Sequence, residues 1–266
     1  MSGPFFYLPP EAWGREVSLE GQEAKHLGQV LRLVPGDEVS LLDGQGRTGR
    51  FAVRAVSKKS AHLECLRESF TPRPASLAVM ALAFSKAVRR GFFMEKAVEL
   101  GAHAVWLWQG DHSQGKLPAG ARDSCQGQMI AGAKQSGNPW LPEVRALTGG
   151  VDELVELSRV ADQRILPWEM QENVPMLTPD LAGRTGVTVY IIGPEGGFSA
   201  RELDALRAAG FAAVSLGARI LRCETAATLC LGIHWWASQL PGRNAEHAEN
   251  WWASQLPGRN AEHAES

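Results

Sequence analysis

Two short segments in the last third of the chain combine glycines with charged residues that could bind a ligand and take part in a reaction. The first runs from Gly193 to Gly197 and directly follows an apolar stretch that is typical of a strand. The second places Arg219, Arg222 and Glu224 within six residues. Glycines let the backbone approach a ligand closely, while guanidinium and carboxylate groups can stabilise developing charge or move a proton. Together the segments predict a ligand site that also carries reactive groups.

The elements around these segments predict how they are held. Residues 187–192 form the strand before the first segment, and Ser199 with Glu202 has the spacing of a capping box that opens a helix. The next predicted strand ends similarly, at Leu216-Gly217. Because open α/β sheets bind ligands beyond the carboxyl ends of their strands, the two segments are expected side by side. A plain strand-to-helix turn is the alternative for either segment alone.

The sequence does not support two other kinds of glycine-rich ligand loop, the dinucleotide-binding loop and the Walker loop. Gly44-Gln-Gly46-Arg-Thr-Gly49 matches the dinucleotide pattern, but it runs into an alternating strand instead of opening a helix, so it predicts a hairpin turn. No Gly-Lys-Ser/Thr sequence follows a glycine run, which excludes a Walker loop.

From about residue 75 onward, apolar runs of strand length alternate with helical segments. The predicted strands are 77–83, 104–108, 163–167, 187–192 and 213–216, and the predicted helices are 92–100, 122–134, 151–160, 199–209 and 224–236. Uninterrupted apolar strands indicate a parallel sheet that is covered on both faces. The fold class of this part is therefore α/β.

The first 72 residues have a different pattern. Residues 48–56, with Phe51, Val53 and Ala55 on one face, and residues 61–70 read as half-buried antiparallel strands. A helical patch at 22–33 interrupts this β-rich domain. Two prolines in residues 71–74 then indicate a linker, so we predict one domain over 1–72 and a second over 75–236.

Composition narrows the class of protein. The chain has 266 residues, of which 44% are hydrophobic, and it contains neither a signal peptide nor the run of about 18 apolar residues that a membrane helix needs. We therefore expect a cytoplasmic protein without membrane contact. The four cysteines form no C-x-x-C pair and no histidines have H-x-x-x-H spacing, so no metal is predicted.

The net charge of −2 is unusual for a nucleic-acid binder, but basic residues exceed acidic ones in the part of the chain before residue 148. A local basic cluster is a candidate for facing phosphates, and a solvated strand face is the alternative. Its members are Arg47, Arg50, Arg54, Lys58 and Lys59.

The C-terminus contains a tandem repeat. Residues 235–250 are repeated at 251–266 with a change only in the last position. Two copies of a sixteen-residue unit are too few for a solenoid, which needs at least three repeats. We interpret residues 237–266 as a disordered tail, produced by a duplication or an assembly artefact, and assign it no function.

The two reactive segments belong to longer motifs, GPEGGFS and LG-x-RILR-x-ETA, that match nearly letter for letter those of a known family. On these motifs the chain resembles the RsmE family, SPOUT-class enzymes that methylate N3 of a uridine in 16S ribosomal RNA. Weaker similarities, including residues 26–32 and 95–101, extend the resemblance to about residue 234.

The resemblance implies a PUA-like β-barrel in front of a SPOUT methyltransferase domain whose C-terminal part forms a trefoil knot. It also implies S-adenosyl-L-methionine as cofactor, 16S rRNA or the small ribosomal subunit as partner, and a homodimer with the active site at the subunit interface. The residues implied to bind the cofactor are Leu166, Pro167, Trp168, Ile192, Gly193, Pro194, Gly196, Leu216, Gly217, Ile220, Leu221 and Thr225.

This sequence departs from the family pattern in two places, and both departures remove an arginine. Gly110-Asp111-His112-Ser113 stands where relatives commonly have Ser-x-Arg-Ser, and residues 135–138 end in Asn138 where relatives often have Arg. If those arginines bind RNA, other residues must do so here. The candidates for RNA binding are His26, Arg32, Arg47, Arg50, Lys86, Arg89, Arg90 and Lys134; for His26, a helix histidine with a structural role is the alternative.

Methylation of uridine N3 requires loss of its proton. We expect Arg222 to stabilise negative charge on the uracil oxygens, and Glu224 or Glu195 to orient the base or take the proton. For Glu224 the alternative is a carboxylate that stabilises a helix N-terminus, and for Glu195 the alternative is a residue that only braces its loop. Two rival functions also fit: a SPOUT enzyme acting on a ribose 2′-hydroxyl or another base, and a non-catalytic RNA-binding module.

Overall fold

The computed structural model describes residues 3–84, 87–117, 120, 123–168 and 174–240, with only the backbone described at 87–89. The first part of the chain forms a five-stranded sheet in the order β1-β3-β4-β5-β2. Its strands are β1 (Phe5–Tyr7), β2 (Glu16–Glu20), β3 (Glu38–Leu42), β4 (Arg47–Val56) and β5 (Ser60–Phe70). β1 is parallel to β3, and the remaining neighbours are antiparallel.

The core of this sheet is built from alternating apolar residues, as predicted. Phe51 and Val53 of β4 are fully buried against a cluster that includes Phe6 and Leu41. Ala55, which we expected on the same face, is exposed instead. The pairing of β4 with β5 shifts between Val53 and Ala55, and such a bulge adds one residue that reverses the alternation.

The predicted helical patch is shorter than expected. α1 (Gly21–Lys25) continues into a π-helical turn over His26–Val30 and ends there. Arg32 adopts a left-handed conformation with φ of 54°, which a helix cannot continue through. The chain therefore leaves the helix before residue 33, where the predicted helical patch ended.

The second part of the chain forms a parallel six-stranded sheet in the order β11-β9-β10-β6-β7-β8. The strands are β6 (Ser76–Ala83), β7 (Ala104–Trp108), β8 (Glu143–Leu147), β9 (Gln163–Pro167), β10 (Gly186–Ile192) and β11 (Ala212–Val214). The helices are α2 (Ala87–Glu99), α3 (Asp123–Ser136), α4 (Gly150–Ser158), α5 (Pro179–Ala182), α6 (Ala200–Ala208) and α7 (Cys223–Ser238).

Both faces of this sheet are covered, which confirms the expected α/β class. In β6, Met80 and Leu82 pack into one hydrophobic cluster with residues of α2, α3 and α7. Val79 and Ala81 pack into the other, with residues of α4 and α6. Because successive side chains of a strand point to opposite faces, a strand buried on both sides must be largely apolar, as β6 is at every position after Ser76.

The Gly44–Gly49 segment is a hairpin turn between β3 and β4, as predicted, and the second sheet's domain docks on it. The amide of Gly46 donates to Pro139 O at 3.0 Å, and the amide of Leu141 donates to Gly44 O at 3.0 Å. A Cβ at Gly46 would lie 2.4 Å from the Trp140 ring. These glycines therefore permit close contact between domains and have no role in binding a dinucleotide.

The linker after β5 is held against the same tryptophan. Trp140 Nε1 donates to Thr71 O at 3.0 Å, and the Arg73 guanidinium lies 3.8 Å from the Trp140 ring centre. Arg73 also contacts His103 Nδ1 at 3.0 Å. Burial lowers the pKa of Arg73 to about 10, and burial together with the Arg73 charge lowers that of His103 to about 3.

The last helix is tied to the sheet by a buried polar chain. Ser76 Oγ donates to Arg184 O at 2.6 Å, so the Nε2–H of His234 must donate to Ser76 Oγ, 3.1 Å away. The Tyr190 hydroxyl lies 3.2 Å from His234 Nδ1 and donates to it. This pattern is complete for a neutral imidazole, and burial lowers the pKa of His234 to about 4.

Across the described ranges, no helix combines the length and apolar character needed to span a bilayer. α7 continues to Ser238, two residues beyond the predicted end of the helix at 236, so the predicted tail begins inside the helix. Residues 241–266, which include the second copy of the repeat, lie outside the described residues.

Candidate functional site

Three neighbouring strands end at one edge of the parallel sheet and bring the two motifs together. β11, β9 and β10 are adjacent and parallel. Pro167 at the end of β9 pairs with Val214 of β11, and the Trp168 amide donates to Val214 O at 2.9 Å. Ile192 ends β10 beside them. The carboxyl ends of the strands thus form the floor of a site, where α/β sheets bind ligands.

The segment of residues 193–197, called the glycine loop below, leaves β10 as a tight turn. The amide of Gly197 donates to Pro194 O at 2.9 Å, and Gly197 has a φ of 75°. A Cβ at Gly193 would lie 2.7 Å from the Phe198 ring, so only glycine lets that ring fold back beneath the loop. Ser199 and Glu202 then form the predicted capping box of α6.

The second motif leads from β11 into the N-terminus of α7. Gly217 has a φ of 112°, a conformation that suits glycine. Arg222 is the N-cap residue of α7, and Glu224 lies in the first turn. The Cys223 thiol donates to Gly193 O with an Sγ–O distance of 3.0 Å. This bond joins the two motifs, so the glycine loop that carries Glu195 meets the start of α7, where Arg222 and Glu224 lie.

A pocket opens at this edge of the sheet. Its lining is Pro167, Trp168, Leu216, Gly217, Arg219, Leu221 and Ala226. Five of these residues were predicted to bind the cofactor, while Arg219 and Ala226 were not in that set. Arg219 stood in the charged group that first indicated the site; Ala226 has no sequence signal beyond its place in the motif.

The other predicted cofactor residues do not line this pocket. Leu166 points into the sheet core and is 1% exposed, while Ile220 is 84% exposed. Thr225 lines a different groove, between α2 and α7. The remaining members are in β10 or the glycine loop: Ile192, Gly193, Pro194 and Gly196.

The loop after β7, residues 110–113, contacts the glycine loop, a relationship that the sequence did not indicate. Asp111 accepts from Ser199 Oγ at 2.6 Å and from Arg201 Nη2 at 3.2 Å. These hydrogen bonds, that of Ser199 first, lower the pKa of Asp111. His112 Nδ1 lies 3.1 Å from Gly197 O; since a carbonyl only accepts, Nδ1 carries the proton.

The arginines of the predicted basic cluster are paired with carboxylates. Arg50 contacts Glu38 at 2.8 Å and Arg54 contacts Glu64 at 2.7 Å. Arg47 lies 3.7 Å from Asp43. This agrees with the solvated strand face, because pairing reduces the charge available to phosphates.

The remaining RNA-binding candidates fall into different environments. His26 is half-buried with its ring 5.6 Å from that of Phe6, whereas Arg32 is exposed. Arg90 is 8% exposed. Lys86 lies outside the described residues, as does the side chain of Arg89.

Lys134 and Asn138 hold structural positions. Lys134 Nζ contacts Glu23 of α1 at 2.6 Å, which joins the two domains. Asn138 Nδ2 donates to Val98 O at 2.7 Å, and Asn138 Oδ1 accepts from the Trp140 amide at 3.0 Å. The asparagine that replaces the family's arginine therefore connects the end of α2 to the domain junction.

Within the part of the chain that the structure describes, no group of three or more His, Cys, Asp or Glu side chains is placed to hold a metal ion.

Comparison with known protein families gives the class. An RNA methyltransferase domain model matches residues 72–235, and an RNA methyltransferase PUA domain model matches residues 19–65. The chain is thus an RNA methyltransferase with a PUA domain in front.

The particular family follows from individual relatives. Ribosomal RNA small subunit methyltransferase E of Mycobacterium bovis is 30% identical over 227 residues, which cover 82% of this chain and 86% of that protein. The protein of the same name from Synechocystis is 33% identical over 220 residues, covering 81% of this chain and 71% of the relative. The chain belongs to the ribosomal RNA small subunit methyltransferase E family.

Solved structures of similar proteins support the same family assignment. A methyltransferase from Legionella pneumophila with bound SAM has a TM-score of 0.78 and 26% identity, covering 89% of this chain and 98% of that one. Ribosomal RNA small subunit methyltransferase E from Neisseria gonorrhoeae, bound to S-adenosyl methionine, has a TM-score of 0.72 and 29% identity, covering 86% of this chain and 95% of that one. The expected SPOUT-type architecture is confirmed.

Proposed function

We propose that this protein methylates N3 of a uridine in 16S ribosomal RNA with S-adenosyl-L-methionine as methyl donor. The observation that carries the proposal is the junction of the two motifs, where the Cys223 thiol bonds the Gly193 carbonyl next to Arg222 and Glu224. We further propose two domains, over 1–72 and 75–236, with a trefoil knot in the second.

The residues at the pocket fit the proposed cofactor. Pro167, Trp168, Leu216 and Leu221 offer apolar surface for an adenosyl group. Gly217 leaves backbone accessible at the pocket wall, so amide and carbonyl groups can bind the polar edges of the adenine. In the glycine loop, the backbone of Gly193 is assigned to the adenosyl group and Gly196 to the methionine part.

The cofactor, when bound, supplies an electrophilic methyl group on a sulfonium: the N3–CH₃ bond forms, the S–CH₃ bond breaks, and the N3 proton goes to a base. Alignment of the two reactants can supply roughly 7–11 kcal/mol of the barrier, while a positioned base adds about 10²–10⁴-fold. The loops' first task is therefore to hold both reactants in line.

Arg222 is assigned to stabilise the uracil anion. Its guanidinium is on an exposed side chain at the N-cap of α7, where it can reach a base that enters from solvent. The N-terminus of α7 is the positive end of the helix dipole, so it also stabilises negative charge on the uracil. Glu224 or Glu195 orients the base or accepts the proton; Glu224 lies in the first turn of α7 and Glu195 in the glycine loop.

A homodimer is part of the proposal. α2 and α7 border a groove of about 600 Å³ that is lined mainly by apolar residues. Phe92 is 50% exposed there and Trp236 is 52% exposed. Thr225 lines the same groove one position from the pocket residue Ala226, so a second copy seated on it would adjoin the cofactor site. A Trp236→Ser variant is expected to sediment as a monomer.

For RNA, Arg32 is the best placed of the candidates in the first domain. It is exposed beside Val30 and Val34, which are 68% and 58% exposed, so a charge and apolar surface are available together. Such surfaces suit phosphates with unstacked bases. An Arg32→Ala variant should bind RNA more weakly and show a smaller dependence of affinity on salt.

Two experiments test the function. Calorimetry with S-adenosyl-L-methionine should show one site per chain, and absence of heat would favour a non-catalytic RNA-binding module. Small subunits from a strain that lacks the endogenous enzyme should then yield 3-methyluridine in nucleoside mass spectrometry. Methylated ribose instead would refute the choice of N3.

A further inference from the structure

The glycine loop is contacted by residues 110–113, which do not line the pocket and which we call the clamp loop. The clamp loop follows β7, which is two strands away from β10 in the sheet order. It comes within van der Waals contact of the glycine loop: a Cβ at Gly110 would lie 3.2 Å from the Pro194 ring. The two loops are therefore packed against each other.

Asp111 is the polar centre of this contact. Its Oδ2 accepts from Ser199 Oγ at 2.6 Å and its Oδ1 accepts from Arg201 Nη2 at 3.2 Å. Ser199 is the N-cap of α6 and directly follows the glycine loop and Phe198. The carboxylate therefore fixes the point at which the glycine loop becomes helix.

A buried carboxylate, that of Glu202, makes a second connection between Asp111 and Ser199. Glu202 is fully buried; its Oε2 accepts from the Ser199 amide at 2.7 Å, and its Oε1 accepts from the Asp111 amide at 2.8 Å. One side chain thus satisfies the amide of Asp111 in the clamp loop and the amide of Ser199 at the start of α6. Asp111 is held through its backbone while its side chain holds Ser199, so Asp111, Ser199 and Glu202 form a closed hydrogen-bonded ring.

His112 contacts the glycine loop at its tip. Its Nδ1–H donates to Gly197 O at 3.1 Å, and a Cβ placed on Gly196 would lie 2.8 Å from the Cβ of His112. Any side chain at Gly196 would thus collide with the clamp loop. Glu195 lies between this contact and Pro194, so its backbone is confined from both ends.

We propose that Asp111 is a positioning residue, which holds the glycine loop in the conformation that binds the cofactor's methionine part and presents Glu195 to the active site. The inference rests on the proposed function and assigns a role to one of the two places where this sequence departs from its family. Asp111 acts through Ser199 and Arg201 and touches neither reactant.

The variant Asp111→Asn tests this directly. Asparagine keeps the size of the side chain, but it loses the charge and can accept only one of the two side-chain bonds, since its nitrogen is a donor. We expect the Kd for S-adenosyl-L-methionine to rise about tenfold and kcat to fall about tenfold, with the KM for RNA within twofold. The thermal midpoint should stay within about 2 °C, because Asp111 is exposed.

Asp152→Asn is the matched control. Asp152 contacts the other terminal nitrogen of Arg201 at 3.1 Å and is on α4, away from the glycine loop. This variant removes a charge of the same sign from the same arginine and should leave both cofactor affinity and kcat within twofold. Asp111→Glu, which keeps both charge and acceptors, should recover part of the affinity lost in Asp111→Asn.

Calorimetry measures the affinity of each variant for the cofactor, and single-turnover assays measure its rate of methyl transfer. If Asp111→Asn binds the cofactor and turns over like the unsubstituted protein, or if Asp152→Asn is equally impaired, the positioning role is overturned. A failure of the unsubstituted protein to bind cofactor would instead overturn the proposed function, so the two failures are distinguishable.

Discussion

The Cys223 thiol donates a hydrogen bond to the Gly193 carbonyl across 3.0 Å. The two residues, one from each motif, are separated by 29 intervening positions, 194–222. The bond joins the end of β10 to the start of α7. It therefore sets the distance between the glycine loop, assigned to the cofactor, and Arg222, assigned to the uracil.

This bond predicts a graded effect of substitution. Cys223→Ser keeps a donor and should bind S-adenosyl-L-methionine within about twofold of the unsubstituted protein. Cys223→Ala has no donor, and loss of a net hydrogen-bond contribution of about 1 kcal/mol corresponds to roughly a fivefold rise in Kd. Calorimetry measures both; equal affinities for the alanine and serine variants would contradict the structural role of the thiol.

Arg222→Ala should separate binding from chemistry. Since Arg222 does not line the pocket, cofactor Kd should change by no more than about twofold. Loss of the group that stabilises the uracil anion should lower the single-turnover rate by about 10²–10³-fold. Arg159→Ala, on a 69% exposed arginine after α4, is the control. Full methyl transfer by Arg222→Ala would refute the proposed mechanism.

The Lys134–Glu23 ion pair should stabilise the docking of the two domains. Both side chains are largely buried, at 19% and 23% exposure, so Lys134→Ala and Glu23→Gln should each lower the free energy of unfolding by about 1 kcal/mol. The double variant should be little worse than either single one. RNA affinity distinguishes the alternative: a phosphate-binding Lys134 would give weaker binding in Lys134→Ala and tighter binding in Glu23→Gln.

Stability should fall in mild acid because of buried histidines. Burial lowers the pKa of His234 from 6.5 to about 4, so between these values the unfolded chain binds a proton that the folded protein does not. The free energy of unfolding is therefore unaffected by this group above pH 6.5 and decreases below it, by up to about 1.4 kcal/mol per pH unit.

Denaturant unfolding measured between pH 7.5 and 4.5 checks the direction of this pH dependence and whether His234 causes it. His234→Gln should be less stable at neutral pH, because the Ser76–His234–Tyr190 chain is broken. Its stability should also decline less steeply with acid. His103, whose pKa is lowered to about 3, remains in that variant and should keep part of the slope. An unchanged slope would rule out His234 as a source.

Much of the fold could be predicted because the signals are local. β7 and β9 were predicted at their observed bounds, since an apolar run in a parallel sheet must be buried on both faces. The capping box of Ser199 and Glu202 was predicted from spacing alone, because both of its hydrogen bonds lie within four residues. The hairpin reading of Gly44–Gly49 likewise needed only the strand that follows it.

Other features depended on partners far along the chain. Nothing in the sequence around Asp111 indicates that its carboxylate meets Ser199, 88 positions away. Lys134 was predicted to bind RNA because it is basic, yet its position depends on Glu23, 111 positions away. Similarly, the outward turn of Ala55 follows from a shift in pairing with β5.

By itself, then, the sequence determined the α/β class, the two motifs and the cofactor that their family resemblance implies, because these depend on periodicity and short-range spacing. Only the tertiary structure decided which charges are paired, why Gly46 must be glycine, and how Asp111 and Cys223 hold the glycine loop from two sides. Those properties arise from contacts between distant segments, and a chain's local pattern does not specify which distant groups will be neighbours.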